Sequence, residues 1–239
     1  DLGGVEIECL LVWNRQGTFV LDDGASGLDR TIPGMGIGIG DVNEDGLWDV
    51  FLTAWEQLDL LYSNPTTGIW VDYSTVVGLE PDSAANQIIG WGAELADFDN
   101  DTLLDAVAVF GELQVPGGFG LPGQPHGLWL QHTDGTFDAV AEAWEFDDPG
   151  VTRNLGVVDL NLDGYLDVVL PSMEGPTRLY VANCGTGSWL EVALELPGTG
   201  NPDAIGAVVE IDIGDRTLRR PMLASGTGFG SGLPPIVHF

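Results

Sequence analysis

The sequence predicts an all-β chain of β-propeller-type blades, three and a half repeats long, followed by a small C-terminal β domain. Three observations lead there. Short runs rich in Val, Leu, Phe and Trp are bounded by Gly, Asp and Asn clusters, as strands are. No window sustains a 3.6-residue helical period. The chain also repeats: an acidic nonapeptide begins at residues 41, 97 and 159, each time between an apolar stretch and two short β-type runs. Repeats of four short strands at about 60 residues suit propeller blades.

The elements follow in order. The first repeat is half a blade: Leu10-Leu-Val-Trp-Asn14 and then Gly17-Thr-Phe19, within a blade core near residues 1–28. The next core, near 35–79, runs from Gly36-Ile-Gly-Ile-Gly40 through Val50-Phe-Leu-Thr53 and Leu60-Leu-Tyr-Ser-Asn64 to Gly68-Ile-Trp70. The third, near 90–144, runs from Gly90-Trp-Gly-Ala-Glu-Leu-Ala96 through Ala106-Val-Ala-Val-Phe110 and Leu128-Trp-Leu-Gln131 to Gly135-Thr-Phe137. The last, near 154–183, holds Leu155-Gly-Val-Val158, Val168-Val-Leu170 and Leu179-Tyr-Val-Ala-Asn183. Residues 1–183 thus form the repeat region and 184–239 the C-terminal domain. Trp48, Trp55, Trp70, Trp91, Trp129 and Trp144 recur within the repeats and are expected to pack in the blade cores.

The nonapeptides read Asp41-Val-Asn43-Glu-Asp45-Gly46-Leu47-Trp-Asp49, Asp97-Phe-Asp99-Asn-Asp101-Thr102-Leu103-Leu-Asp105 and Asp159-Leu-Asn161-Leu-Asp163-Gly164-Tyr165-Leu-Asp167. Each sets oxygen side chains at positions 1, 3, 5 and 9. Ca²⁺ takes six to eight oxygens at about 2.3–2.6 Å, and a tight loop with ligands at alternate positions supplies them. Position 7, which is Leu47, Leu103 or Tyr165, would contribute its backbone carbonyl. About three Ca²⁺ per chain are expected. An EF-hand is excluded, because that loop closes with Glu at position 12, and Leu52, Ala108 and Leu170 stand there between strand-like flanks. Position 6 is expected to have φ > 0, which suits Gly46 and Gly164 and strains Thr102.

Composition sets the partners. The net charge is −30, from 37 acidic residues against 7 basic ones, all Arg. Such a balance opposes nucleic acid and anionic membrane surfaces as partners. Three calcium ions would offset six of those charges, so the remainder reads as a solvated acidic surface. No apolar run is long enough to insert in a membrane. Cys9 and Cys184 are the only cysteines and could form one disulfide or remain two separate thiols.

These motifs together resemble a known family. The Gly-rich apolar run, the Asp-x-Asp/Asn-x-Asp-Gly-x-x-Asp loop and the Leu-Tyr-x-Asn…Gly-x-Phe tail are similar to FG-GAP (VCBS-type) repeats, as in integrin α-subunit propellers. Trp189-Leu-Glu-Val-Ala-Leu194, Asn201, Ile205-Gly-Ala-Val-Val-Glu-Ile211, Arg216, Ser225-Gly226 and Val237-His-Phe239 resemble the ASPIC/UnbV domain that follows such repeats in the cartilage acidic protein family. The resemblance implies a β-propeller with Ca²⁺ in its blade loops, in an exported, periplasmic or cell-surface protein used for adhesion or assembly. It transfers the metal role onto the loop positions named above. It also implies more blades than three and a half, and a C-terminal pattern that continues past Phe239. A further segment or a protein partner would then cover the open blade faces, with glycans as another candidate partner class.

No catalytic constellation emerges. His126, His132 and His238 share no ligand spacing. The Gly226-Thr-Gly-Phe-Gly230-Ser-Gly232 run lacks the Gly-Lys-Ser/Thr ending of a phosphate loop, and Ser231 does not sit in Gly-x-Ser-x-Gly. The expectation is a non-catalytic calcium-binding module; the alternative is a carbohydrate-active or metal-dependent enzyme on a propeller scaffold.

Overall fold

The computed structural model describes residues 11–13, 17–21, 26–28, 30, 32–81, 88–112, 123–182, 185–224 and 234–239. Among them the protein is all-β, with a single one-turn helix, α1 (Ser74–Val77). Asp72 starts that turn by accepting from the Ser74 N–H at 3.0 Å, and Gly78 ends it in the left-handed region at φ 81°. It is too short to leave a periodic trace in the sequence. Cys9, Cys184 and the Gly226–Gly232 run lie outside the described residues.

The repeats are antiparallel meanders. A first hairpin pairs β1 (Leu11–Trp13) with β2 (Phe19–Leu21). Sheet 1 orders β3 (Gly34–Gly40), β4 (Asp49–Ala54), β5 (Gln57–Ser63) and β6 (Trp70–Asp72). Sheet 2 orders β7 (Gly90–Ala96), β8 (Asp105–Phe110), β9 (Gly127–Gln131) and β10 (Phe137–Ala139). Sheet 3 has β11 (Gly156–Val158), β12 (Asp167–Leu170) and β13 (Arg178–Tyr180).

These sheets stack face to face in chain order. Strand alternation sends successive side chains of β8 to opposite neighbours. Ala106, Ala108 and Phe110 join a core with Phe51, Leu60 and Leu58 of sheet 1, whereas Val107 and Val109 join Leu155, Val157 and Val168 from the last repeat. Sheet 2 is therefore covered on both faces, which is why β8 reads as an unbroken apolar run rather than an alternating one. Phe51, Leu60 and Val107 are fully buried, and truncating such a residue to Ala costs about 2–5 kcal/mol.

Close approach of the first strands explains the glycines. A Cβ on Gly36 would collide with the Trp91 carbonyl, one on Gly40 with Leu104, and one on Gly92 with Leu155. In Gly36-Ile-Gly-Ile-Gly40 the glycines recur every second residue, so one whole face of β3 is stripped for contact with β7.

The C-terminal part pairs β14 (Glu191–Ala193) with β17 (Ile236–His238), and β15 (Val208–Ile213) with β16 (Arg216–Pro221). It has its own core of Leu218, Met222, Val237 and Phe239. The tryptophans divide. Trp91 and Trp129 are buried, but Trp48, Trp55 and Trp70 are only partly so, and Trp144 is 45 % exposed in a turn beyond β10. Core packing of all six therefore does not hold: Trp144 belongs to no strand, and sheet periodicity does not direct it inward.

Candidate metal centres

Each nonapeptide joins the first and second strands of its sheet. Position 1 (Asp41, Asp97, Asp159) follows the last residue of the first strand, and position 9 (Asp49, Asp105, Asp167) opens the second. The hydrogen bonds nearly coincide across the three. At position 3, Asn43, Asp99 and Asn161 accept the N–H of position 5 at 3.1, 3.2 and 2.9 Å. At position 5, Asp45, Asp101 and Asp163 accept the N–H of position 7 at 3.0, 2.8 and 3.0 Å. The position 1 carboxylate reaches across the loop to the N–H of position 6, Gly46, Thr102 or Gly164, at 3.1, 2.8 and 2.7 Å.

The turn this makes needs two left-handed residues. Position 6 has φ 86°, 85° and 88° at Gly46, Thr102 and Gly164, as the sequence led us to expect. Position 4 is left-handed as well, at Glu44 (φ 57°), Asn100 (φ 59°) and Leu162 (φ 61°). Of the three side chains only that of Asn100 favours it; the successive Asx turns impose it on all three.

Position 9 is a buried staple. Asp49, Asp105 and Asp167 are all 0 % exposed. One oxygen accepts the N–H of position 2, from Val42, Phe98 or Leu160, at 2.9, 2.8 and 2.9 Å. The other accepts an N–H of the third strand or the residues just after it, from Ser63, Gln131 or Ala182, at 2.9, 2.9 and 3.0 Å. Each oxygen keeps a second lone pair for a cation.

In the second loop, carboxylate oxygens of Asp97, Asp99 and Asp105 lie within 4.8 Å of one another. Oxygens across a Ca²⁺ ion stand up to about 5 Å apart, given Ca–O distances of about 2.3–2.6 Å, so this donor set fits the ion. Asp101 is outside that cluster. In the first and third loops the position 3 amides donate to Asp45 and Asp163 Oδ2 at 3.3 and 2.8 Å, linking positions 3 and 5. The Tyr165 phenol accepts the Gly187 N–H at 2.9 Å, so its side chain points away into the C-terminal part.

Electrostatics favours a cation. Burial pushes the Asp105 carboxyl up to about 8, Asp49 to about 7 and Asp97 to about 6, against the pull of the backbone N–H groups on each. Burial, with the neighbouring Asp45 or Asp101 charge, also raises Asp41 and Asp99. Carboxylates held so reluctantly in the charged form are stabilised by any positive charge brought to them.

The loops lie side by side beneath the C-terminal part. Asn100 Nδ2 donates to the Gly164 carbonyl at 2.9 Å, joining the second loop to the third. Gln131 Nε2 donates to the Val42 carbonyl at 3.1 Å, joining sheet 2 to the first loop. Arg216, Arg219 and Arg220 on β16 reach the first and second loops, and His238 Nε2 donates to the Gly164 carbonyl at 3.0 Å. Loop motifs do not reveal these contacts. The available signal was that three of only seven basic residues fall within one strand of a chain at −30.

The molecule is thus an all-β protein of repeated acidic-loop meanders. No family model matches the chain, and no curated protein matches it. Among solved structures it is similar to a lectin of Agrocybe aegerita, described as specifically recognising non-reducing terminal N-acetylglucosamine. That similarity has a TM-score of 0.37 at 16 % identity and covers 90 % of this chain; the chain spans 60 % of the lectin's length.

Proposed function

We propose that this protein is a non-catalytic calcium-binding module in which Ca²⁺ rigidifies the loops at one end of stacked blades, as FG-GAP-type repeats would. The observation that carries this reading is threefold recurrence. Three loops place oxygen side chains at positions 1, 3, 5 and 9 on one shared turn, and one gathers three carboxylates within 4.8 Å. Asp41, Asn43, Asp45, Asp49 and their counterparts would hold the ions. The cation supplies charge neutralisation; the chain supplies the turns, the buried position 9 staples and the strands that fix them.

The placement supports that role. Each loop connects the first two strands of its own sheet, and the loops touch the C-terminal part, so an ion there stiffens the frame. We assign the C-terminal part an ASPIC/UnbV-like identity and the whole an exported or surface setting in adhesion or assembly. Leu179 on β13 and Val181 just after it are 54 % and 45 % exposed, an apolar edge suited to a further blade or a protein partner. Among the described residues no helix is long and apolar enough to cross a membrane.

Calorimetric titration of metal-stripped protein with Ca²⁺ tests the reading. About three sites per chain are expected, by the octahedral-or-larger oxygen demand of the ion on each loop. Asp163→Ala should remove one of them. Absence of binding heat, with no calcium on the purified protein, overturns the proposal.

A further inference from the structure

The C-terminal part meets the acidic loops through groups other than the proposed ligand oxygens. Arg216 is the centre of the contact. Its Nε donates to Glu44 Oε2 at 2.7 Å, its Nη2 pairs with Glu44 Oε1, and its Nη1 donates to Thr102 Oγ1 at 2.9 Å. Glu44 is position 4 of the first loop and Thr102 is position 6 of the second, both left-handed. Arg220 Nη2 adds a bond to the Thr102 carbonyl at 3.3 Å. Arg220 is itself 7 % exposed, with its guanidinium 5.4 Å from the Phe239 ring centre. Among the described residues, the ion pairs of the arginines go to Asp59, Asp72, Asp148, Glu44 and Glu210, and none to an Asp of the three ligand sets.

This geometry separates two roles for the arginines. A counter-charge standing in for calcium would sit on the ligand carboxylates. Here the Arg216 guanidinium grips the strained turns; Arg219 and Arg220 lie near enough to Asp41 and Asp97 to favour their charged forms, but among the described residues neither forms an ion pair with them. Thr102 shows the point most clearly: a β-branched residue at φ 85° is disfavoured by its own backbone, and both its hydroxyl and its carbonyl are held by arginines. The forked Arg216–Glu44 pair fixes direction as well as distance.

We propose that Arg216 is a positioning residue for calcium: with Glu44 and Thr102 it clamps the first and second loops in the ion-binding turn, so docking of the C-terminal part and Ca²⁺ binding stabilise each other. The inference rests on the calcium reading above. Because linkage is reciprocal, whatever the clamp adds to calcium affinity, calcium adds to docking. The third loop is the internal reference, since it is held by His238 and Asn100 and not by Arg216.

The test is calorimetric Ca²⁺ titration of the metal-stripped full chain as wild type, Arg216→Gln and Glu44→Gln. The clamp predicts that Arg216→Gln weakens two sites by about tenfold, a typical coupling between sites, and spares the third. Tighter binding in Arg216→Gln, the result of removing a positive charge beside acidic loops, overturns the inference, as does unchanged binding. If Arg216→Gln does not fold, Glu44→Gln decides: weakening at both loops supports the clamp, and weakening confined to one site shows a local charge effect and overturns it. A wild type that binds no calcium removes the calcium reading itself, and the clamp with it.

Discussion

Asp105 does two jobs with one carboxylate. Its oxygens accept the Phe98 and Gln131 N–H groups at 2.8 and 2.9 Å, tying loop to third strand, while the same group belongs to the three-carboxylate cluster. Asp101 lies outside that cluster and has no staple: its bond to the Leu103 N–H stays within the loop, which leaves it only the role of a proposed calcium ligand at position 5. The two should therefore separate on mutation. Asp105→Asn turns an amide donor toward a backbone donor and leaves one buried N–H unpaired, at a cost of about 1–3 kcal/mol. It should lower the melting temperature with or without calcium. Asp101→Asn should lower it only in calcium. Melting curves of both variants in calcium and in chelator check this; equal sensitivity of the two in chelator would contradict the staple. The nonapeptide pattern in the sequence announces both aspartates but not their difference, which depends on where the third strand ends.

At the scale of the elements, the loop turn is the unit that decides which residues fit. Gly46 and Gly164 share φ near 87°, yet their surroundings differ. A Cβ at Gly46 meets the exposed end of Arg219, which can swing aside, whereas a Cβ at Gly164 meets the indole of Trp189. Both substitutions to Ala carry left-handed strain of about 1–3 kcal/mol. Gly164→Ala should cost more than Gly46→Ala in urea unfolding, because a ring has no flexible end to yield. Equal costs would mean the indole is not packed where it stands. The need for φ > 0 at position 6 was legible from two glycines in three loops. The left-handed position 4 was not, because Glu44, Asn100 and Leu162 are chemically unlike and only the chained Asx turns impose their shared backbone. Likewise the glycines of β3 announced a special strand, and only the approach of β7 shows that they make room for another backbone.

At the scale of the molecule, the buried carboxylates make stability depend on pH. Asp49, Asp97 and Asp105 carry folded-state pKa values of about 7, 6 and 8, above the ordinary carboxylate value of about 3.9. Between those limits the folded chain binds more protons than the unfolded chain, so metal-free stability falls as pH rises from about 4 to 8. Calcium favours the charged carboxylates, so the stabilisation it brings grows over the same range. Melting of metal-stripped protein at about pH 5 and about pH 8, with and without added calcium, checks both slopes. The sequence showed the all-β class, the repeat and the loops, because those are local patterns of period two and of fixed spacing. It did not show the docking of Arg216 on Glu44, 172 residues apart, which arises only when the C-terminal hairpin folds over the first two loops.

Whether calcium holds the sheets together is read from thermal melting at neutral pH in millimolar calcium against EGTA, paired with metal analysis of the purified protein. About three bound Ca²⁺ per chain are expected, one for each loop's set of oxygen donors, with a large fall in melting temperature in EGTA. No bound calcium and superimposable melting curves would contradict it.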